Sequence, residues 1–249
     1  IALMLGSVTA FAQKMNKNEV KQLQAFAAQT SEKGGTNGEA LKIADMSAPS
    51  TWEGITVENG RVVAIDWKDK HLAGSLNLSG FTALKKVDVS RNALTSLDVT
   101  GAAAITSLNA SRNKLSSLTL SGNSALTDLM IYRNRLTDVS LADTPLLTNL
   151  NCSNNLFVEL SVANATTLKT LNCQGCHLEA LNVEGCAQLK NLYCGYNKLT
   201  TINLFGVENL TNFNIDDNEI SNLIISGLPS LSTFICSDNR MNTLALRNC

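Results

Sequence analysis

The sequence predicts a β-rich solenoid: a right-handed coil with short parallel strands on both sides and a helical cap at its N-terminal end. Three observations predict it. Apolar residues recur on a 21-residue ruler from Leu84 onward, an Asn returns at one fixed place in almost every repeat, and a second turn column holds only Gly, Asn or Asp. Composition leans the same way. Of 249 residues, 37 are Leu and 28 Asn, while only 16% are charged, against the usual quarter. With 44% apolar residues the chain is too apolar for disorder. A net charge of -1 argues against a nucleic-acid binder, which needs a basic stripe to displace counterions.

The front half of each repeat is read from its columns. A first apolar column begins at Leu84, Ile105 and Leu126, and a second at Val87, Leu108 and Leu129. A third runs Val89, Ala110, Ile131, Cys152, Cys173, Cys194, Ile215, Cys236. Then come Asn92, Asn113, Asn134, Asn155, Cys176, Asn197, Asn218, Asn239, followed by a last apolar column from Leu94 to Met241. Each unit reads L-x-x-L-x-L-x-x-N-x-L, the leucine-rich-repeat pattern. Alternation in x-L-x-L-x marks a strand that buries one face. One such strand cannot bury that face alone, so the units stack. The Asn stands where the chain leaves the strand, and its amide suits backbone groups that the turn leaves unpaired.

The rear half of each unit has its own short L-x-L, such as Leu97/Val99, Val139/Leu141 and Leu181/Val183. Two residues later stand Gly80, Gly101, Gly122, Asp143, Asn164, Gly185, Gly206, Gly227 and Asn248. These types tolerate positive φ, so a left-handed turn is expected at all nine. The rear is therefore expected to be extended rather than helical.

At the N-terminal end, residues 1–12 form an apolar run closed by Ala10-Phe11-Ala12, which reads as a partial secretory signal peptide. Export to the cell surface or medium is expected, with no membrane insertion, since a span needs about 20 apolar residues. Residues 13–62 are expected to cap the coil. Within them Asn18 is the expected N-cap of a helix over 19–29, and Ser31 to Gly38 is read as a loop. The solenoid proper is expected over 63–249, about nine rungs, with His71 near the Asn slot of an irregular first rung. The last unit stops at Cys249 two residues short of completion, so the natural protein is expected to continue.

Two stretches carry resemblances. Trp52-Glu53-Gly54-Ile55, Gly60 to Ile65 and Leu72 to Leu76 resemble the start of plant-receptor-type leucine-rich repeats, without the Cys pair of that cap. The 21-residue unit, with Cys in the third apolar column and L-D-V-like rear strands, resembles the short-repeat internalin family of secreted bacterial surface proteins over about 63–249. That resemblance implies a non-enzymatic adhesion or recognition protein.

Cys173-Gln174-Gly175-Cys176-His177 spells the c-type haem attachment motif. The register opposes it, because Cys173 and Cys176 both fall in inward columns. Cys152, Cys173 and Cys194 sit on neighbouring rungs with parallel side chains, so free thiols packed as small apolar groups are expected. Asp216, Asp217 and Asp238 lack the D-x-D-x-D-G loop of a calcium site. No cofactor, no metal and no catalytic set is expected.

Function is sought on the outward columns. One runs Asp88, Asn109, Met130, Asn151, Asn172, Tyr193, Asn214, Ile235; the next Ser90, Ser111, Tyr132, Ser153, Gln174, Gly195, Asp216, Ser237. A third runs Arg91, Arg112, Arg133, Asn154, Gly175, Tyr196, Asp217, Asp238, passing from basic to acidic. All three tyrosines of the chain fall in these columns, and Tyr and Arg are enriched at binding hot spots. The expected site is Met130, Tyr132, Arg133, Asn151, Asn154, Asn172, Tyr193, Tyr196, Asn214, Asp216 and Asp217. It would bind a protein or glycan on a host or neighbouring cell surface, from a concave face, with the chain a monomer. The alternative is a structural spacer that presents a further C-terminal domain.

Overall fold

The computed structural model describes residues 14–249, and the apolar leader read at 1–12 lies outside the described residues. The columns coil as their spacing requires. A ten-stranded front sheet runs in the order Ile55–Glu58, Arg61–Asp66, Lys86–Asp88, Ser107–Asn109, Asp128–Met130, Asn149–Asn151, Thr170–Asn172, Asn191–Tyr193, Asn212–Asn214 and Thr233–Ile235. The first pair is antiparallel and the rest are parallel. In register, Val87, Leu108, Leu129, Leu150, Leu171, Leu192, Phe213 and Phe234 lie side by side. Strands this short gain stability only by stacking, and Leu108, Leu129, Leu171 and Leu192 are wholly buried. Phe213 and Phe234 stack at 5.4 Å between ring centroids.

The Asn column ties the rungs together from inside. Asn155 Nδ2 donates to Ile131 O one rung back (2.9 Å) and to Cys152 O in its own rung (2.8 Å), and its Oδ1 accepts from Leu136 N (3.0 Å). Asn113, Asn134, Asn197 and Asn218 repeat this pattern. At Cys176 the ladder weakens: its Sγ donates to Cys152 O (3.2 Å) but brings no oxygen to Phe157 N–H.

The rear departs from expectation in one respect. Its strands form three separate groups rather than one sheet: Ala73–Asn77 with Ala93–Asp98 and Ser117–Thr119, Glu159–Ser161 with Ala180–Asn182, and Asn222–Ser226 with Thr243–Arg247. The rung of Ile202 and Leu204 keeps only a single bridge, Asn182 to Asn203, and that of Val139 and Leu141 has no rear strand. There Gly122 N donates to the Asp143 carboxylate (3.0 Å), where Gly101 N finds a main-chain carbonyl, Ser121 O (2.8 Å). Asp143 is also the one member of its column outside the left-handed region. A side-chain acceptor has displaced the backbone pairing.

The cap helix runs Lys17–Ala27 and is capped by Asn16, not Asn18: Asn16 Oδ1 accepts from Asn18 N and Glu19 N. Starting there puts Glu19 inward, where its carboxylate accepts from Arg61 Nε (2.7 Å) and Val62 N (2.9 Å) at the start of the second front strand. A buried carboxylate needs such partners. Phe26 stacks on the buried Trp67 at 5.6 Å. The stretch read as a loop holds the start of a one-turn helix, Asn37–Ala40, closed by a capping box between Thr36 and Glu39. The T-x-x-E signature was legible there.

Candidate functional site

Each three-residue front strand carries an inward residue between two outward ones, fully buried in all but Thr233–Ile235, where Phe234 is half-buried. On the C-terminal side of the buried Leu stand Met130, Asn151, Asn172 and Tyr193. With Asp128, Asn149, Leu150 and Thr170 they line a shallow depression of about 220 Å³ contributed by four consecutive rungs. Asp128, Asn149 and Thr170 belong to an outward column that sequence reasoning passed over. The alternation that put Met130 outside places its partner across Leu129 outside too, and that signal was available.

This overlooked column is internally bonded. Asn149 Nδ2 donates to Asp128 Oδ1 (2.7 Å), Asn191 Nδ2 to Thr170 Oγ1 (3.2 Å), and Asn212 Nδ2 to Asn191 Oδ1 (2.7 Å). The asparagines across the strand behave differently. The Oδ1 atoms of Asn151, Asn172 and Asn214 accept from Ser153 N, Gln174 N and Asp216 N, two residues on (3.0–3.2 Å). Their oxygens are thus engaged in local turns, while no acceptor within the described residues meets their Nδ2 groups. The depression therefore offers amide donors, a thioether and a phenol ring. Larger hollows of about 610 and 350 Å³ flank the cap helix without an aromatic side chain, and one of about 370 Å³ lies against the rear turns beside Phe205.

Of the other expected site residues, Tyr132, Arg133, Asn154, Tyr196 and Asp217 lie along the edge where the chain leaves the strands, and Asn214 and Asp216 lie on the rung after Tyr193. Part of the second outward column sinks inward: Ser90, Ser111 and Ser153 are buried, each hydroxyl donating to the side chain two residues back (2.6–2.8 Å). The third column has a feature that its composition hid. Arg91, Arg112, Arg133, Asn154, Gly175, Tyr196, Asp217 and Asp238 all have φ between 48° and 63°. For Arg and Tyr this left-handed backbone costs about 1–2 kcal/mol each. The rear turn meets the same demand with Gly and Asn alone. The N–H groups of Arg112, Arg133, Asn154 and Tyr196 each bond a carbonyl on the next rung (2.8–2.9 Å), which aligns the column as a row.

The electrostatics differ along that row. The Arg112 guanidinium lies over the Tyr132 ring, 5.7 Å from its centroid. Hydrogen bonds from Ser111 and Arg112, together with nearby positive charge, lower the Tyr132 pKa. The charge of Asp216 and a hydrogen bond to it raise that of the exposed Tyr196. Asp216 folds over Gly195, where any Cβ would strike its carboxylate, and its Oδ1 is buried without a partner.

The thiols lie beneath. Cys152, Cys173, Cys176 and Cys194 are wholly buried, and all seven cysteines are free. Both sulfurs of the C-x-x-C-H stretch therefore face the core, as the register requires. A hydrogen bond with Cys176 and burial push the Cys152 thiol up, and burial does the same at Cys173 and Cys194. Among the described residues no cluster of three or more metal-binding side chains forms. No helix there is long and apolar enough to cross a membrane.

A 21-residue rung, a parallel front sheet and an internal Asn ladder make this chain a leucine-rich-repeat solenoid. It is similar to the functional domain of InlJ from Listeria monocytogenes, which includes a cysteine ladder, with 24% identity and a TM-score of 0.60 over 84% of this chain and 48% of that one. The chain thus spans about half the length of that structure. It is also similar to YopM, a leucine-rich effector protein from Yersinia pestis (22% identity, TM-score 0.52, 64% of this chain and 50% of that one). A third likeness is to the LRIM1/APL1C complex (26% identity, TM-score 0.57, 66% and 32%). No protein-family model matches the sequence, and no curated protein matches it.

Proposed function

We propose that the chain is an exported recognition module, secreted or held at the cell surface, that binds a protein or glycan partner through its front face. The observation that carries this reading is the depression at the middle of the front sheet, where Met130, Asn151, Asn172 and Tyr193 from four rungs converge. Amide donors without internal acceptors, beside an aromatic ring, are groups that a partner's oxygens and apolar surface satisfy. Tyr196, 57% exposed, extends the aromatic contribution along the edge. The apolar leader at 1–12 supports export. The resemblance of the repeat to the short-repeat internalin family of secreted bacterial surface proteins supports a surface setting, and the LRIM1/APL1C complex supports a protein as the partner. A shallow open face excludes water poorly, which suits binding rather than chemistry.

The test is binding of the purified chain to host matrix proteins and a glycan array, followed by Tyr193→Ala with Tyr196→Ala. Loss of captured partner at an unchanged thermal melt is the expected result. Undiminished binding by the double variant refutes the reading.

A further inference from the structure

The third outward column carries charges that no ion pair among the described residues takes up. Arg91, Arg112 and Arg133 stand on three consecutive rungs, and Asp217 and Asp238 on two later ones. No salt bridge within the described residues involves any of the five. Arg91, Arg133, Asp217 and Asp238 are exposed, and Arg112 is set in place over Tyr132. From Arg133 to Asp217 is four rungs, about 19 Å at sheet spacing. That is more than twice the screening length of about 8 Å at physiological salt, so the two blocks do not neutralise each other. The backbone adds an independent observation. The rear turn meets the left-handed conformation with Gly and Asn, while the front turn keeps three Arg and a Tyr in it. Local stability does not select those side chains.

We propose that this edge docks an extended polypeptide segment with segregated charge, its acidic block over Arg91, Arg112 and Arg133 and its basic block over Asp217 and Asp238. The proposal rests on the front face being a recognition surface, and it names the partner as a protein. A nucleic acid or acidic glycan satisfies the basic block and is repelled by the other. A neutral glycan leaves both unused. A polypeptide presents both signs in one chain, and at about 3.3 Å per residue some six residues separate the inner members of the two blocks. Between them the segment passes Asn154, Gly175 and Tyr196, where uncharged side chains fit.

The probe is a synthetic peptide of three glutamates, five serines and three lysines in that order, with blocked ends. Its control has the same composition with charges alternating. Fluorescence anisotropy at low salt is expected to show at least tenfold tighter binding of the block peptide, weakening as salt rises. Arg112→Glu with Arg133→Glu, or Asp217→Lys with Asp238→Lys, is expected to remove at least tenfold. Combining all four exchanges restores binding, because the peptide turns end for end. Equal affinity for both peptides, absence of binding, or block-peptide binding that survives either pair of exchanges overturns the proposal. If the block peptide fails while a partner captured from the arrays still depends on Tyr193, this inference falls and the recognition reading stands. If that dependence is also missing, both fall.

Discussion

Replacing Asn155 by Ala isolates the contribution of one ladder rung. The amide is 2% exposed. Its loss removes two donors and one acceptor, and the three consequences are unequal. Ile131 O keeps a bond from Asn134 Nδ2 (2.9 Å), and Cys152 O keeps one from Cys176 Sγ (3.2 Å). Leu136 N–H, which donates to Asn155 Oδ1, is left buried with nothing to bond. An orphaned donor costs about 1–3 kcal/mol, so about 2 kcal/mol is expected. Cys176 is the natural control. It supplies no oxygen to Phe157 N–H, so Cys176→Ala orphans no donor and costs about 1 kcal/mol or less. Cys176→Asn stabilises by about 1 kcal/mol if the rung accommodates the amide. Urea denaturation of the three variants measures the differences. The reasoning is refuted if Cys176→Ala costs as much as Asn155→Ala, or if Asn155→Ala is neutral.

Glycines in the rear turn separate strain from collision. At Gly206 (φ 80°) a Cβ would lie 2.8 Å from Gly185 N, whereas at Gly80 (φ 75°) it meets nothing within 4 Å. Gly206→Ala is therefore expected to lower the melting temperature clearly more than Gly80→Ala, which bears only the left-handed penalty of about 1–2 kcal/mol. Buried thiols should destabilise the fold in alkali. Their pKa values are raised above an unfolded value near 8.5, so their contribution is complete below that pH. It fades above, by at most about 1.4 kcal/mol per thiol per pH unit. A stability profile that stays flat from pH 8 to 10 contradicts this, and Ala at Cys152, Cys173 and Cys194 together should flatten it. Tyrosine ionisation followed by ultraviolet absorbance should show Tyr132 titrating before Tyr196, with Tyr132→Phe removing the early step and Tyr196→Phe the late one.

The front of the coil was legible because its columns obey two constraints at once, burial and a fixed register, and eight repeats state them in succession. The same redundancy exposed the Asn slot and the inward cysteines. What escaped lay where one side chain replaces a backbone partner. Asp143 fits its column by type, since Asp tolerates left-handed backbone, yet its carboxylate takes Gly122 N–H and the rear pairing lapses. The cap was harder for another reason. It occurs once, so no column corrects a one-turn error. Asn16 and Asn18 both qualify as caps, and only the long-range pairing of Glu19 with Arg61 decides between them.

Along the candidate face, outward residues were recovered by counting, but counting does not say which atoms are already occupied. Asn149 and Asn151 flank the same buried Leu150. The first spends its Nδ2 on Asp128 and the second spends its Oδ1 on Ser153 N. That difference follows from strand chirality and the turn that comes next, which a list of outward positions does not contain. It also sorts the face into parts. The column before the Leu is cross-linked rung to rung and stiffens the sheet, while in the column after it Asn109 Nδ2 is held by Asp88 and only Asn151, Asn172 and Asn214 keep their N–H groups directed to whatever arrives. Substitutions at Asn149 should thus change stability before recognition, and those at Asn151 recognition before stability. A sequence pattern alone treats the two as equivalent.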